Sequence, residues 1–211
     1  MGRIRWSAGA IVGRVATAVV HPVTHPVTHP RVSPDEFEAL QWNAGWEMAA
    51  ELIAGEVVVT PPIAGPASSS QGDLYFELRS WNRVQSKPGL LLQDVFVGLP
   101  DGSKLAPDIS WWPADSGAEV PRLGPVQIMP SLAVEVLSPS TRANDLGPKR
   151  ELYMWAGVRE LWLADPDERT LTRVLADPGR SADGAAQTLT AGDTLTSDLL
   201  PGFALPLAHA F

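Results

Sequence analysis

The stretch Leu132-Ala133-Val134-Glu135-Val136-Leu137 decides the fold of this chain. Apart from one acid it is apolar, and a short apolar run of this kind predicts a buried β-strand. An ionised carboxylate is costly to bury unless a cation or a metal ion compensates it. Glu135 is therefore either a functional residue held inside the sheet or an acid that points outward from a half-exposed strand.

Helices and strands alternate around this run. Apolar residues at helical spacing predict a helix over residues 68–86, and a capping box of Ser33 and Glu36 predicts the start of an earlier helix. A further amphipathic helix is predicted over Leu146–Ala156. The predicted strands are Val57–Val59, Leu90–Leu99, Pro107–Trp112, Leu132–Leu137, Glu160–Ala164 and Arg169–Leu175. This order predicts an α/β fold, a mixed β-sheet flanked by helices, in one domain over residues 33–211.

The segment before this domain has a different composition. It repeats His-Pro-Val-Thr from His21 to Pro30, and proline at every fourth position is incompatible with helices and sheet ladders. The histidines of the repeat offer weak metal ligands, but the composition favours a disordered N-terminal tail over residues 1–32.

The charge of the chain is unevenly distributed. The net charge is −8 over 211 residues, but residues 1–32 carry four arginines and no acid, which leaves −12 for residues 33–211. A domain this acidic binds phosphate poorly unless a local basic patch, metal ions or a partner assists it. The chain has no cysteine and no apolar run of membrane-spanning length. We therefore expect a cytoplasmic protein that does not cross a membrane.

Two more polar residues stand near the predicted ends of elements. Asp108 begins the strand Pro107–Trp112, where it is either a metal ligand or a turn aspartate that caps its own backbone. Lys149 falls in the first turn of the helix Leu146–Ala156, where the helix dipole disfavours a cation. It is either a functional residue or a solvated surface lysine. Asp145 is predicted to cap this helix.

Taken together, these residues suit metal-dependent chemistry. Asp108 and Glu135, on neighbouring strand ends, offer the oxygen ligands that a hard cation such as Mg²⁺ or Mn²⁺ takes. Such an ion polarises a phosphodiester and lowers the pKa of a bound water. Lys149 would orient that water or offset charge on the phosphate. Glu51 would complete the metal site, although an ordinary helix-end or loop glutamate explains it equally well.

Other chemistries lack their residues. The sequence has no Gly-rich phosphate or dinucleotide loop and no nucleophile elbow. His209 is the only histidine outside the tail, which disfavours a catalytic triad or a histidine-based zinc site. Trp111 and Trp112 offer surfaces for base stacking, but tryptophan in a strand more often packs in the core.

At these residues the chain resembles a known family, the Uma-type endonucleases of the PD-(D/E)XK superfamily, formerly a domain of unknown function. The matching motifs run in order through residues 33–211. They are Glu51-Leu52-Ile53-Ala54-Gly55-Glu56, Pro107-Asp108, Val134-Glu135-Val136-Leu137-Ser138-Pro139-Ser140-Thr141, Asp145-Leu146-Gly147-Pro148-Lys149-Arg150 with Tyr153, Ala156-Gly157-Val158-Arg159-Glu160-Leu161-Trp162 with Asp165-Pro166, and Leu200-Pro201-Gly202-Phe203.

The resemblance implies a restriction-endonuclease-like fold with Asp108, Glu135 and Glu51 as ligands of Mg²⁺ or Mn²⁺. It implies that Lys149 is a catalytic lysine moved from strand to helix, because Leu137 stands at the superfamily's usual lysine position. Tyr153 would contact phosphate or pack.

Two functions therefore agree with the sequence. One is an endonuclease acting on nucleic acid, with DNA expected and a homodimer as one arrangement. The other is an inactive nuclease fold that acts in protein interaction or regulation. Ser68-Ser69-Ser70, where the family often has a histidine, and the acidic domain agree with the second.

Overall fold

The computed structural model describes residues 31–44, 49–60, 62–63, 65–176 and 185–211. The proposed tail and its His-Pro-Val-Thr repeat therefore lie outside the described residues, except for Arg31 and Val32. Helix α1 (Pro34–Ala44) follows the predicted capping box. Ser33 N donates to Glu36 Oε2 at 2.9 Å, and Glu36 N donates to Ser33 Oγ at 3.3 Å. The first predicted helix start is thus confirmed.

A six-stranded mixed sheet forms the centre of the domain. Its order is β10-β9-β8-β7-β6-β3, and every neighbouring pair is antiparallel except β7 and β8. The strands are β3 (Leu90–Gln93), β6 (Ile109–Trp112), β7 (Leu132–Val136), β8 (Glu160–Asp165), β9 (Thr170–Leu175) and β10 (Ala185–Thr190). The predicted α/β class with a mixed sheet is confirmed.

Strand β7 lies inside this sheet, as its sequence predicts. All five of its residues are buried, because β6 and β8 cover its edges and side chains cover both faces. Val134 and Val136 pack in the cluster that contains Leu74 and Leu78 of helix α2 (Pro66–Arg83). Residues on the opposite face pack in a second cluster that contains Tyr153.

A smaller antiparallel sheet has the order β2-β1-β5-β4. Its strands are β1 (Ala49–Ile53), β2 (Glu56–Thr60), β4 (Val97–Gly98) and β5 (Lys104–Leu105). Strands β1 and β2 form a hairpin closed by Ala54 and Gly55, both at positive φ (50° and 85°). That geometry is the tight turn that matches the twist of paired strands. Glu51 therefore lies on a strand rather than in the helical region proposed from the sequence.

The predicted strand Leu90–Leu99 is in fact two strands in different sheets. Asp94, between β3 and β4, adopts φ of 49°, a left-handed conformation that aspartate tolerates better than most residues. This residue turns the chain from the large sheet to the small one, so the prediction of one continuous strand was wrong.

The connection from β7 to β8 carries the predicted helix in three pieces. They are a short helix α3 (Arg142–Asn144), a π-helical turn (Asp145–Lys149) and helix α4 (Arg150–Trp155). Gly147 departs from helical geometry and Pro148 offers no N–H, so the chain kinks there. The predicted helix exists, but it begins before Leu146 and is broken.

The end of the chain packs back on the large sheet. Strands β11 (Thr194–Thr196) and β12 (Ala204–Pro206) pair and lead into a 3₁₀ turn (Leu207–His209). Phe203 stacks on Trp162 at a centroid distance of 5.7 Å. None of the helices within the described ranges is long and apolar enough to cross a membrane.

Buried Glu160 connects strand β8, strand β9 and the C-terminal segment. Its carboxylate accepts hydrogen bonds from Trp162 Nε1 (2.7 Å), Arg173 Nε (2.7 Å) and Ser197 Oγ (2.6 Å). Ser197 lies between β11 and β12, so the contact joins the C-terminal segment to β8 and β9.

We predict that Glu160→Ala lowers the free energy of unfolding by about 3 kcal/mol, because it leaves the Arg173 charge, whose side chain is only 15% exposed, without its partner. Urea titration of the purified variant measures this loss. The control Glu119→Ala removes an exposed glutamate and should change stability by no more than about 0.5 kcal/mol. Equal stabilities for the two variants would contradict the role assigned to Glu160.

Candidate active site

The four residues predicted to form the site meet at one end of the central strands. Asp108 precedes β6 and Glu135 lies near the end of β7, and the antiparallel register that pairs Ile109 with Val134 brings these ends together. Lys149 ends the π-helical turn that follows β7 along the chain. Glu51 reaches the same place from the small sheet, where its Oε1 accepts a hydrogen bond from Ala106 N at 2.7 Å.

Lys149 lies at the centre of the cluster. Its Nζ is 2.8 Å from Glu135 Oε1 and 3.2 Å from both carboxylate oxygens of Glu51. Only 4% of its side chain is exposed. The interpretation of Lys149 as a solvated surface residue is therefore wrong, and so is the one in which Glu135 points outward, since Glu135 is buried.

Asp145 belongs to this cluster, which the sequence analysis missed. The prediction had Asp145 cap a helix, but no described residue forms a side-chain cap at this turn. Asp145 is buried instead, with Oδ1 at 3.2 Å from Lys149 Nζ. This contact is an ion pair and not a hydrogen bond, so Oδ1 accepts no hydrogen bond from the described residues. The i,i+4 spacing of the pair was the sequence signal for this contact.

Tyr153 fixes the orientation of Glu135. Its hydroxyl donates to Glu135 Oε1 at 2.6 Å, and the side chain is fully buried. Of the two roles expected for Tyr153, the structure shows the packing role, with a hydrogen bond added to it. Tyr153 and Lys149, four residues apart, both reach the same carboxylate oxygen, as their common helical face predicts.

Burial raises the pKa of two carboxylates in the cluster, those of Asp108 and Glu135. For Asp108 the pKa rises from 3.8 to about 7, although the N–H of Val136 and the charge of Lys149 oppose the rise. Asp108 Oδ2 accepts that hydrogen bond at 2.5 Å, so this carboxylate binds a neighbouring strand rather than capping its own turn. Burial also raises the pKa of Glu135, against the attraction of Lys149. Burial opposes the charged form of Lys149, but the surrounding carboxylates outweigh it and raise the pKa of the lysine.

The oxygens of this carboxylate cluster are the kind of ligand that a hard cation takes. The carboxylates of Glu51, Glu135 and Asp145 contact one ammonium group, that of Lys149, whose charge also acts on Asp108. Asp145 Oδ1, which lies near the Lys149 ammonium but accepts no hydrogen bond from the described residues, is a further oxygen ligand. As they stand, however, no three Asp, Glu or His side chains in the described part of the chain are grouped so as to hold a metal ion. A bound ion would require Lys149 or the carboxylates to move.

The two strand tryptophans pack, as the sequence favours. Trp111 and Trp112 are both buried, and their indole N–H groups donate to Asn82 Oδ1 (3.1 Å) and to the carbonyl of Ile128 (2.8 Å). Neither ring is free to stack on a base in this arrangement.

The raised pKa of Asp108 predicts how stability depends on pH in metal-free buffer. Between about pH 4 and pH 7 the folded protein keeps a proton that the unfolded chain releases. The stability due to this proton is fully present below about pH 4 and is lost as pH rises to about 7. Relative to Asp108→Asn, the wild type should lose up to about 1.4 kcal/mol of unfolding free energy per pH unit in this window.

Urea titrations of both proteins at several pH values across the window measure the difference. The asparagine keeps an oxygen that accepts the Val136 N–H, so it isolates the ionisation. A difference that stays constant with pH would show that Asp108 ionises normally.

Comparisons with known proteins identify the fold and the family of the chain. A search of curated proteins finds no match. A crystal structure described as "a putative nuclease belonging to DUF820 from Anabaena variabilis ATCC 29413" matches with a TM-score of 0.70 and 20% identity, over 85% of this chain and 97% of that chain. This likeness shows a shared, nuclease-like fold. The family model of Uma2, described as "Putative restriction endonuclease", matches residues 34–208, a range that contains the whole carboxylate cluster, and the chain therefore belongs to the Uma2 family.

Proposed function

We propose that this protein is a Mg²⁺- or Mn²⁺-dependent endonuclease that hydrolyses phosphodiester bonds in DNA. One observation carries the proposal: the carboxylates of Glu51, Glu135 and Asp145 contact a buried lysine, beside Asp108, at the strand ends of a nuclease-like fold. Burying so many acids together is unfavourable for stability. A dication bound at this site would offset that unfavourable energy, which would explain why the acids are grouped there.

Each residue has a role that follows from its contacts. Asp108 and Glu135 would hold the metal ion, and Glu51 would support it from the small sheet. The ion would polarise the scissile phosphate and acidify a water. Lys149 would orient the attacking water or stabilise negative charge on the phosphate. The hydrogen bonds from Val136 N to Asp108 and from Tyr153 to Glu135 preorganise both ligands.

The acidic surface limits how the protein would bind DNA. With −12 over residues 33–211, long-range attraction to phosphate is weak. The metal ion would then supply much of the local positive charge at the scissile group. A homodimer would offer one site to each strand of a duplex, and we propose it as the active form.

A non-catalytic role is the alternative, with the nuclease fold acting in protein interaction or regulation. One observation favours it: as they stand, no three acidic side chains of the described residues are grouped so as to hold a metal ion. An interaction module of this kind would show no stabilisation by divalent ions, whereas an ion that binds only the folded state raises the melting temperature.

We predict that the wild type nicks supercoiled plasmid DNA in Mg²⁺ or Mn²⁺ and not in EDTA. Asp108→Asn removes a charge from the metal site and Lys149→Met removes the ammonium, so each should lower the nicking rate by about 100-fold or more. Gel electrophoresis of a time course measures the rates.

The control Lys87→Ala removes an exposed lysine and should cut at the rate of the wild type. Cutting that survives both site substitutions would point to a contaminating nuclease and sink the proposal. Wild-type protein that neither cuts nor gains thermal stability with metal would favour the interaction module.

A further inference from the structure

Lys149 occupies the position of a cation among the carboxylates. Its Nζ lies 2.8 Å from Glu135 and 3.2 Å from Glu51 and Asp145. The ammonium group therefore takes the same ligands that a hard metal ion would take. It differs from a free ion in being tethered to the chain, so it is present at the site at all times.

One ammonium group does not neutralise this cluster. The contacting carboxylates of Glu51, Glu135 and Asp145 are joined by Asp108, and the buried Oδ1 of Asp145 accepts no hydrogen bond from the described residues. A dication would compensate more of this charge. It cannot do so while the lysine holds the same oxygens, because two cations a few ångströms apart in a buried site repel strongly.

We propose that Lys149 and the divalent metal ion compete for the oxygens of Glu51 and Glu135. In the metal-free protein Lys149 holds these carboxylates, which keeps the metal affinity low. Binding of the ion releases Lys149 from them and makes its ammonium group available to other partners. This inference rests on the proposed metal dependence. It also accounts for a cluster of four carboxylates in which no three are grouped so as to hold a metal ion.

The proposed competition depends on the charge of residue 149. Two substitutions distinguish an effect of this charge from an effect of side-chain size. Lys149→Gln removes the charge and keeps a polar side chain, and Lys149→Arg keeps the charge. Lys104 provides the matched control, because it is also a buried lysine and pairs with Glu38, away from the cluster.

Calorimetric titration of Mn²⁺ into the full-length chain, without DNA, tests the proposal. We expect Lys149→Gln to bind Mn²⁺ about tenfold or more tightly than the wild type. Lys149→Arg and Lys104→Gln should stay within about threefold of the wild-type affinity. An affinity of Lys149→Gln equal to or weaker than that of a Mn²⁺-binding wild type would overturn the competition and leave the proposed function standing. Absence of binding by every protein would overturn both.

A measurement on the wild type covers the case in which Lys149→Gln does not fold. Acetic anhydride labelling, read by mass spectrometry, should leave Lys149 protected in EDTA and labelled in saturating Mn²⁺, with Lys104 protected in both. Protection of Lys149 that is unchanged by bound Mn²⁺ would contradict its release.

Discussion

The contact between Glu135 and Lys149 is the interaction on which the rest of the site depends. Glu135 lies in a strand buried on both faces, where an isolated carboxylate would be strongly destabilising. Lys149 compensates it at 2.8 Å, and Tyr153 hydrogen-bonds to the same oxygen. Both partners come from the kinked crossover between β7 and β8. The parallel pairing of those strands requires a crossover of this kind, and it returns the chain over the end of β7.

The two sheets meet at this contact. Glu51 belongs to the small sheet, yet it contacts Lys149 and accepts the backbone N–H of Ala106, which lies two residues before Asp108. The cluster is thus held by backbone from both sheets and by the helical connection. Such support keeps the carboxylates close despite their mutual repulsion, and burial together with that repulsion raises the pKa of Asp108 and Glu135. A dication bound here would offset this repulsion. We therefore expect its binding to raise the stability of the folded protein strongly.

Sequence patterns predicted much of the fold because apolar residues recur along its main helices and strands with clear periodicity. Strand β7 and helix α2 are examples. The pattern failed where one residue changes the path of the chain: Asp94 adopts a left-handed conformation and divides a continuous apolar run into two strands. The hairpin of Glu51 was missed for a related reason, since its turn, Ala54-Gly55, lacks the asparagine or aspartate that usually marks such turns.

For the site, the sequence predicted four of the clustered residues and missed a fifth, Asp145. Glu135 stands out as an acid in an apolar strand, whereas Asp108, Lys149 and Glu51 each had an ordinary alternative, and the family resemblance favoured their role in the site. Asp145 was missed because its position before Gly147-Pro148 is equally typical of a helix cap, and only the π-helical turn directs its side chain inward. Burial inside a folded turn cannot be deduced from the local sequence.

Anomalous diffraction from crystals soaked in Mn²⁺ would locate a bound ion in the cluster. We predict one ion bound by oxygens of Asp108 and Glu135 at about 2.1 Å, with Lys149 Nζ moved away from Glu135. Crystals that diffract well but show no ion at these carboxylates, with Lys149 still in contact with Glu135, would contradict a metal-binding role for the cluster.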